Sequence, residues 1–487
     1  MANNESQPSF QILICLIKIW TPKSINDPMT VPSDAMLISE VEEIEIEESY
    51  KKLIGTASVR FPRGTVIRKT IDKFNEEEAA SNKILQANIT DAGVLEEVRQ
   101  ETSVASSSSF SIGQRIRIYL GYTQDPNIAN LAKTSNTGKS IYNDSGTLNK
   151  YENSTYIAEK AMSVMFDGYI TKISVDTPIE LHCENLASAL KNITCPKVTI
   201  KSKSTVNDFL SDSGRYKLLK GTGISLHPDT ESQQYDLGAV TLTPDLTVAD
   251  VLTEWAKYGL HSFVTEYNGK PVIAVGRSYF SNAKKDSIIN AITQPAQPVK
   301  ILFDYHVASN DLSLTNTDKK YLAIEAEGLS SDDKFIHLTL LRNPKYDESS
   351  GTGDPWRVVN ETQLSKKAMK LGARPLSKSS DRISMKLYNK VPYHSRKIPI
   401  TKDELLEEAI KYFESYNMNG IEGTLTLFGD LHLKTGTKVE LVDNRYPGKN
   451  GYYLVEEVHT TFGSHGYRQR IKLPYCIKRI KQENNGE

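Results

Sequence analysis

The chain is poor in cysteine and has no excess of charge of either sign. Only four cysteines occur in 487 residues. None of them forms a Cys-x-x-Cys pair, so the sequence predicts neither a zinc ribbon nor a thioredoxin-like redox site. Basic residues number 59 and acidic residues 60, which gives a formal net charge of -1. This balance supplies no bulk field for phosphate groups, so nucleic-acid binding is disfavoured as the main task.

Long hydrophobic runs are also absent. The most apolar stretch, residues 10–20, has about half the length that a membrane-spanning helix requires, and Gln11 and Lys18 interrupt it. No basic segment precedes it and no small-residue cleavage site follows it, so a signal peptide is not expected. We interpret the stretch as a buried first strand.

The sequence contains no recognisable enzyme motif. Residues 134–140 end like a phosphate-binding P-loop, but Lys133 stands where the motif requires its first glycine. The nine histidines are scattered, and His459 and His465 do not form a zincin motif. No Gly-x-Ser-x-Gly elbow occurs. We therefore expect no enzyme, with no catalytic residues, no metal-binding residues and no cofactor.

What the sequence does contain is an alternation of apolar and polar residues with a period of two. It is clearest between residues 423 and 473, where Val439 and Leu441 alternate with Lys438 and Glu440. Glycine and proline fall between the alternating runs, as turns require. The segment predicts a small antiparallel β-unit.

A degenerate second copy of this β-unit lies far upstream, and its segments follow one another in the same order. The matched segments are 57–62 with 423–428, 113–120 with 436–443, 168–173 with 451–458, and 179–183 with 471–476. The predicted turn residues of the repeat are Gly113, Gly168, Gly436 and Gly451. One interpretation is that any two alternating strands look alike. The common order favours the other interpretation, two β-domains of one type in one chain.

The resulting fold class is mainly β with α+β insertions: two similar tube-like β-barrel domains plus a small middle α+β domain. The first β-domain is expected over residues 8–195 and carries a long polar loop at 123–155. The middle domain is expected over residues 196–298, and the second β-domain over residues 299–487.

Helices are predicted at a few places within this plan. Thr205, Thr247 and Thr401 each stand three residues before an acidic residue, which is the pattern of a capping box. The last of these opens an amphipathic helix at 402–418. The composition of residues 69–101 is also typical of a helix.

Basic residues line one face of the last predicted strand and of its upstream counterpart. Alternation places Arg468, Arg470 and Lys472 on one face, and it does the same for Arg115 and Arg117. A solvated sheet face is one interpretation. The other is a face that lines a subunit interface or a channel.

With both β-units in view, the chain resembles the tail or baseplate hub family of phages and related injection machines. This family includes late control protein D of phage tails and the hub part of the type VI secretion spike protein VgrG. The resemblance is carried by three loose patterns in a fixed order, within residues 166–186, 247–260 and 433–455.

The resemblance implies a late virion structural protein that forms a homotrimer. Internal duplication would give each chain two tube-like β-domains, so that three chains form a ring of pseudo-sixfold symmetry around a central channel. Such a ring is a symmetry adaptor between a sixfold tail tube and a threefold spike. The implied location is the virion tail or an injection-machine baseplate, after synthesis in the bacterial host cytoplasm.

The implied partners are the chain itself, the tail tube or distal tail protein, a spike or tip protein and the tape measure protein. DNA would pass only as cargo, and no membrane insertion is expected. The sequence departs from the family in two respects: no lytic domain is appended, and neither a spike-like OB domain nor a β-helix follows Glu487, so a separate spike protein is expected. One alternative is a receptor- or glycan-binding tail-tip protein that uses loop 123–155. Another is a cell-wall hydrolase, for which no carboxylate or metal constellation is found.

Overall fold

The structure is a computed structural model, and it describes most of the predicted β-segments. The described residues are 11–22, 31–32, 35–71, 99–123, 162–174, 178–200, 204–233, 237, 240–256, 260–267, 270–277, 298–312, 322–332, 334–343, 356–365, 389–395, 399–416, 421 and 423–479.

The first part of the chain is built from nine described strands. These strands are β1 (Ile12–Trp20), β2 (Met36–Ile38), β3 (Glu43–Ser49), β4 (Thr56–Phe61), β5 (Val66–Ile71), β6 (Arg99–Val104), β7 (Arg115–Thr123), β8 (Met162–Ile173) and β9 (Ile179–Asn185).

The middle part combines short helices and strands. Its elements are β10 (Val198–Ile200), α1 (Val206–Leu210), β11 (Ser225–Leu226), α2 (Pro228–Gln233), β12 (Val240–Leu242), α3 (Val248–Ala256), β13 (Leu260–Tyr267) and β14 (Lys270–Arg277).

The last part returns to strands and includes the longest described helix. Its elements are β15 (Val299–Leu302), α4 (Phe303–His306), β16 (Val307–Asn310), β17 (Leu322–Leu329), β18 (Lys334–Arg342), β19 (Trp356–Ser365), β20 (Asn389–His394), α5 (Lys402–Tyr416), β21 (Leu425–Phe428), β22 (Lys438–Val442), β23 (Gly451–Leu454), β24 (Glu457–Gly463), β25 (Gly466–Lys472) and β26 (Tyr475–Arg479).

One 13-stranded sheet contains strands from both ends of the chain, in the order β16-β21-β25-β24-β3-β4-β9-β8-β7-β1-β2-β5-β6. The predicted first strand is confirmed as β1, which pairs antiparallel with β7 along its whole length. Ile17, Ile19, Ile116 and Ile118 are fully buried on one face of these strands, and Leu16 of β1 and Tyr119 of β7 are buried on the other. The apolar face of the sheet therefore covers a continuous core, as period-two alternation requires.

The remaining sheets are smaller. A 4-stranded sheet of order β15-β22-β23-β26 continues the second β-unit, and a 3-stranded sheet of order β11-β14-β13 lies in the middle part. Another 4-stranded sheet, β19-β18-β17-β20, is covered by α5. The buried side of α5 consists of Leu405, Ala409 and Phe413, which pack with Ile324 and Leu338 of that sheet.

The predicted capping boxes are confirmed. At Thr247 and Thr401 the backbone N–H donates to the acidic side chain three residues later, at 2.9 Å in both cases. Thr205 and Asp208 form the same reciprocal pair at the start of α1. These contacts satisfy N–H groups that have no partner within a helix, which is why the helices begin at these positions.

The fold class, mainly β with α+β insertions, is confirmed. The helix expected from the composition of residues 69–101 is wrong at both ends, because 66–71 and 99–104 form the paired strands β5 and β6. Strand pairing outweighs composition at these ends, while residues 72–98 lie outside the described part. Loop 123–155 also lies outside it from residue 124 onward. None of the described helices combines the length and the apolar character that a bilayer crossing requires.

Candidate functional site

Two turns with the same hydrogen bonds open corresponding hairpins in the two halves of the chain. Gly113 has a φ of +88°, and its N–H donates to the carbonyl of Ile170 at 2.8 Å. Gly436 has a φ of +80°, and its N–H donates to the carbonyl of Val455 at 2.8 Å. In return, the N–H of Ile170 donates to the carbonyl of Gln114 at 2.9 Å, and the N–H of Val455 donates to the carbonyl of Thr437 at 3.0 Å. Glycine adopts this left-handed conformation without steric cost, so both turns use it for the same reason.

The strands beyond these turns pair in the same order. In the first half the neighbours are β7, β8, β9 and β4. In the second half β22 pairs with β23, and after a short break β24 pairs with β25, which pairs with β21. By this order β7 corresponds to β22, β8 to β23 and β24 together, β9 to β25, and β4 to β21.

The two halves meet through β3 and β24, a contact that we call the seam. β24 pairs antiparallel with β3 along its whole length, from its first residue opposite Ser49 to its last residue opposite Glu43. The N–H of Tyr50 extends the contact by donating to the carbonyl of Glu456 at 3.2 Å. The seam therefore places the two β-units side by side in one sheet.

Tyr467 of β25 anchors the second unit in the core of the first. Its ring centroid lies 5.6 Å from that of Tyr122, and the Tyr122 hydroxyl donates to the Tyr467 carbonyl at 2.9 Å. Tyr467 and Phe462 belong to the same buried cluster as the apolar residues of β1, β4 and β7. Burial raises the pKa of the Tyr467 phenol above its ordinary value, so the ring stays neutral. The two units thus share part of one core.

A polar cluster lies where the seam meets the middle part of the chain. Lys51 Nζ lies 2.6 Å from Oε2 of Glu456, and the Tyr50 hydroxyl donates to the same oxygen at 3.3 Å. The Tyr50 ring stands 6.3 Å from that of Phe263 on β13. Burial lowers the pKa of His261, also on β13, to about 4, and the positive charge of Lys51 acts in the same direction. These contacts connect β13 to both sides of the seam.

The face of the sheet that points away from the core carries charges of both signs. On β3, Glu43, Glu45 and Glu47 alternate with the buried Ile44 and Ile46. Ion pairs join neighbouring strands on this face, namely Arg60 with Glu43 and Glu180, and Lys472 with Glu457, and Lys52 in the turn after β3 pairs with Glu47. The face is therefore hydrophilic and locally neutralised over both sides of the seam.

Three of the predicted basic residues lie on this charged face. On β25, Arg468, Arg470 and Lys472 alternate with buried neighbours, as the sequence pattern required. The guanidinium of Arg468 lies over the ring of Phe428, 4.5 Å from its centroid. Arg470 is exposed, opposite His459 of β24.

Arg115, which the sequence placed on a possible channel or interface face, has no accessible surface within the chain. Its side chain is 0% exposed, forms an ion pair with Asp167, and lies over the rings of Trp20 and Tyr169 at 5.5 and 5.0 Å. Arg117 binds the other oxygen of the same carboxylate at 2.7 Å. Burial lowers the pKa of Arg117, but the charges and hydrogen bonds of Asp167 and Tyr119 together raise it, and the pKa lies above its ordinary value. The sequence reasoning missed Asp167, whose place opposite Arg117 becomes apparent only from the strand register.

The predicted turn residues do not all lie in turns. Gly168 lies inside β8, where an added Cβ would overlap the backbone of Glu184 on β9. A close approach of two backbones, and not a turn, therefore requires glycine at this position. Gly451 is the first residue of β23. By strand pairing, Tyr453 and not Gly451 occupies the position that corresponds to Gly168.

The part of the chain that the structure describes contains no cluster of three or more histidine, cysteine, aspartate or glutamate side chains suited to a metal ion. Cys15, Cys183 and Cys195 are buried free thiols. Burial raises the pKa of each of these thiols, so they stay protonated and act as small apolar side chains.

No family of known sequences matches the chain. No curated protein matches it by sequence. Solved structures match it over nearly its whole length. A tail protein from Neisseria meningitidis is 11% identical, with a TM-score of 0.47 and coverage of 94% of this chain and 96% of that one. A 43 kDa tail protein of prophage MuSo2 from Shewanella oneidensis is 10% identical, with a TM-score of 0.45 and coverage of 96% and 99%.

A PdpA–VgrG complex from Francisella also matches, with 9% identity, a TM-score of 0.43 and coverage of 98% of this chain and 60% of that one. Phage tail proteins and VgrG are the two groups that the sequence resemblance names. At such low identity, no residue's role is transferred from these proteins to this chain.

Proposed function

We propose that the chain is a structural hub of a phage tail or of a phage-like injection apparatus. It forms a homotrimeric ring with pseudo-sixfold symmetry, joins a sixfold tail tube to a threefold spike or tip, and leaves a central channel. The observation that supports this most directly is the seam, because it sets two β-units of the same pairing order side by side. On this proposal the units arose by internal duplication, and three chains present six similar units around one axis.

The distribution of polar and apolar side chains supports the same proposal. A ring of β-units needs one face that packs against a core and another that tolerates water or a passing polymer. The joined sheet has a buried apolar face and a charged face that continues across the seam. We propose that Arg468, Arg470 and Lys472 belong to the channel or to a subunit interface. With charges of both signs, this face would not hold DNA strongly as cargo.

The proposal includes the domain plan and the partners. The two tube-like domains are residues 8–195 and 299–487, with the α+β domain 196–298 between them, and α5 with its sheet is an insertion in the second. The partners are the tail tube or distal tail protein, a separate spike or tip protein and the tape measure protein. The protein acts in the virion tail or baseplate and has no enzymatic role.

Electron microscopy and light scattering of the purified chain test the proposal. The expected result is a trimer with six lobes and an open centre. A chain that stays monomeric at micromolar concentration would overturn the proposal. Binding on a glycan array by such a monomer would favour the receptor-binding alternative, and release of peptidoglycan fragments would favour a hydrolase.

A further inference from the structure

Several sheet edges have no partner strand within the described residues; β6 ends the large sheet on one side, and two further edges belong to the two β-units. β16 lies at one end of the large sheet and pairs only with β21. Residues 171–174, at the carboxyl end of β8, pair with β9 on one side. On the other side, the pairing with β7 ends before this segment begins. Open edges of this kind present unpaired N–H and C=O groups to any strand that can reach them.

These edges correspond to the two strands that form the seam. β16 pairs with β21 as β3 pairs with β4, and β21 corresponds to β4. Residues 171–174 follow Ile170 and pair with β9, just as β24 follows Val455 and pairs with β25. Within one chain β3 fills the edge of β24. The corresponding strand, β16, and the corresponding edge, 171–174, are both left open.

Large apolar side chains are exposed beside both edges. Tyr305, just before β16, is 75% exposed, and Ile112, just before the Gly113 turn, is 69% exposed. The hydrogen bond from Gly113 to Ile170 places Ile112 beside the start of the 171–174 edge. Single exposed apolar residues are ordinary on protein surfaces. Here, however, they coincide with the two edges that the comparison with the seam identifies.

We propose that β16 of one chain pairs with the 171–174 edge of a second copy, so that the contact between chains repeats the seam within a chain. This inference rests on the proposed hub function and specifies its subunit interface. The contact joins two different surfaces, so it is head-to-tail and must close into a ring or grow into a filament. Closure after three chains is what the hub requires.

Two charge substitutions test the interface, Tyr305→Glu at one edge and Ile112→Glu at the other. Either one puts a carboxylate into an apolar contact, and we expect each to weaken self-association by about 30-fold or more. Val358→Glu is the matched control, because Val358 is 39% exposed but lies on β19 in a separate sheet. Circular dichroism and melting temperature establish that each variant is folded.

The decisive measurement is light scattering of each variant alone and of the two mixed. Alone, each is expected to be a monomer, while the control stays a trimer. An equimolar mixture is expected to give a one-to-one dimer, because each variant supplies the edge that the other lacks. Trimers that persist in both variants would overturn this interface and leave the hub proposal standing. Folded monomers that do not dimerise on mixing would overturn the head-to-tail pairing. A monomeric parent protein would overturn the hub itself.

Discussion

Removal of the Asp167 carboxylate should destabilise the first β-unit strongly. This side chain is the anionic partner of Arg115, which is 0% exposed, and it also accepts hydrogen bonds from Arg117 at 2.7 and 3.0 Å. The Asp167→Ala variant keeps a buried guanidinium with no opposite charge. Breaking a buried ion pair in this way costs about 3–5 kcal/mol.

Urea unfolding, followed by tryptophan fluorescence, measures this loss because Trp20 lies against Arg115. Lys52→Ala is the control, since the Lys52–Glu47 pair is 60% and 40% exposed and such surface pairs contribute about 1 kcal/mol or less. Adding Arg115→Met to Asp167→Ala should restore much of the stability, because no unpaired charge then stays buried. The reasoning is refuted if Asp167→Ala costs no more than Lys52→Ala, or if the added Arg115→Met restores nothing.

Further predictions concern the packing of Tyr467, a helix cap and pH. Gly429→Ala would place a methyl group in the ring of Tyr467 and should cost about 1–3 kcal/mol in thermal unfolding, whereas Gly448→Ala meets no atom within 4 Å and should be nearly neutral. Thr401→Ala removes the cap of α5 and should cost about 1 kcal/mol by the same assay, and an unchanged melting temperature would contradict this. The pKa of His261 falls from 6.5 to about 4 on folding, so the unfolded chain takes up the proton first and stability should decline as pH drops from 6.5 towards 4. His261→Gln should reduce that decline, which melting curves at pH 7.5 and at pH 5 would detect.

Local features of the fold could be predicted because each depends on a few neighbouring residues. Alternation around Val439 and Leu441 predicted β22, and the hydroxyl–acid spacing at Thr401 predicted the start of α5. Gly113 and Gly436 have positive φ and matching hydrogen bonds, which is the reason that glycine marks both segments of the sequence repeat. In each case the physical cause lies within a few residues of the signal.

Features that depend on distant contacts could not be predicted in the same way. Alternation gave the correct face for Arg115, but nothing local indicates that Trp20 and Tyr169 bury that face. The sequence predicted a turn at Gly168 because this residue precedes an apolar run. Glycine is required there because the backbone of Glu184 on the next strand leaves no space for a Cβ atom. The seam itself joins strands from opposite ends of the chain, and neither strand carries a signal for the other.

The seam also limits how the chain can assemble. In the proposed ring, each β-unit has a strand that fills a neighbour's edge and an edge that accepts a strand. A chain with two such units uses one strand and one edge internally, through β3 and β24. One strand, β16, and one edge, residues 171–174, therefore stay open. Because these two surfaces differ, two identical chains cannot fill them by a symmetric contact in which either surface meets its own copy. The chains must therefore associate head-to-tail. Since each chain contributes two β-units, a closed assembly contains an even number of units whatever the number of chains. A twofold dimer held together by β16 against β16 would contradict the equivalence of the two units, and with it the physical basis of the hub.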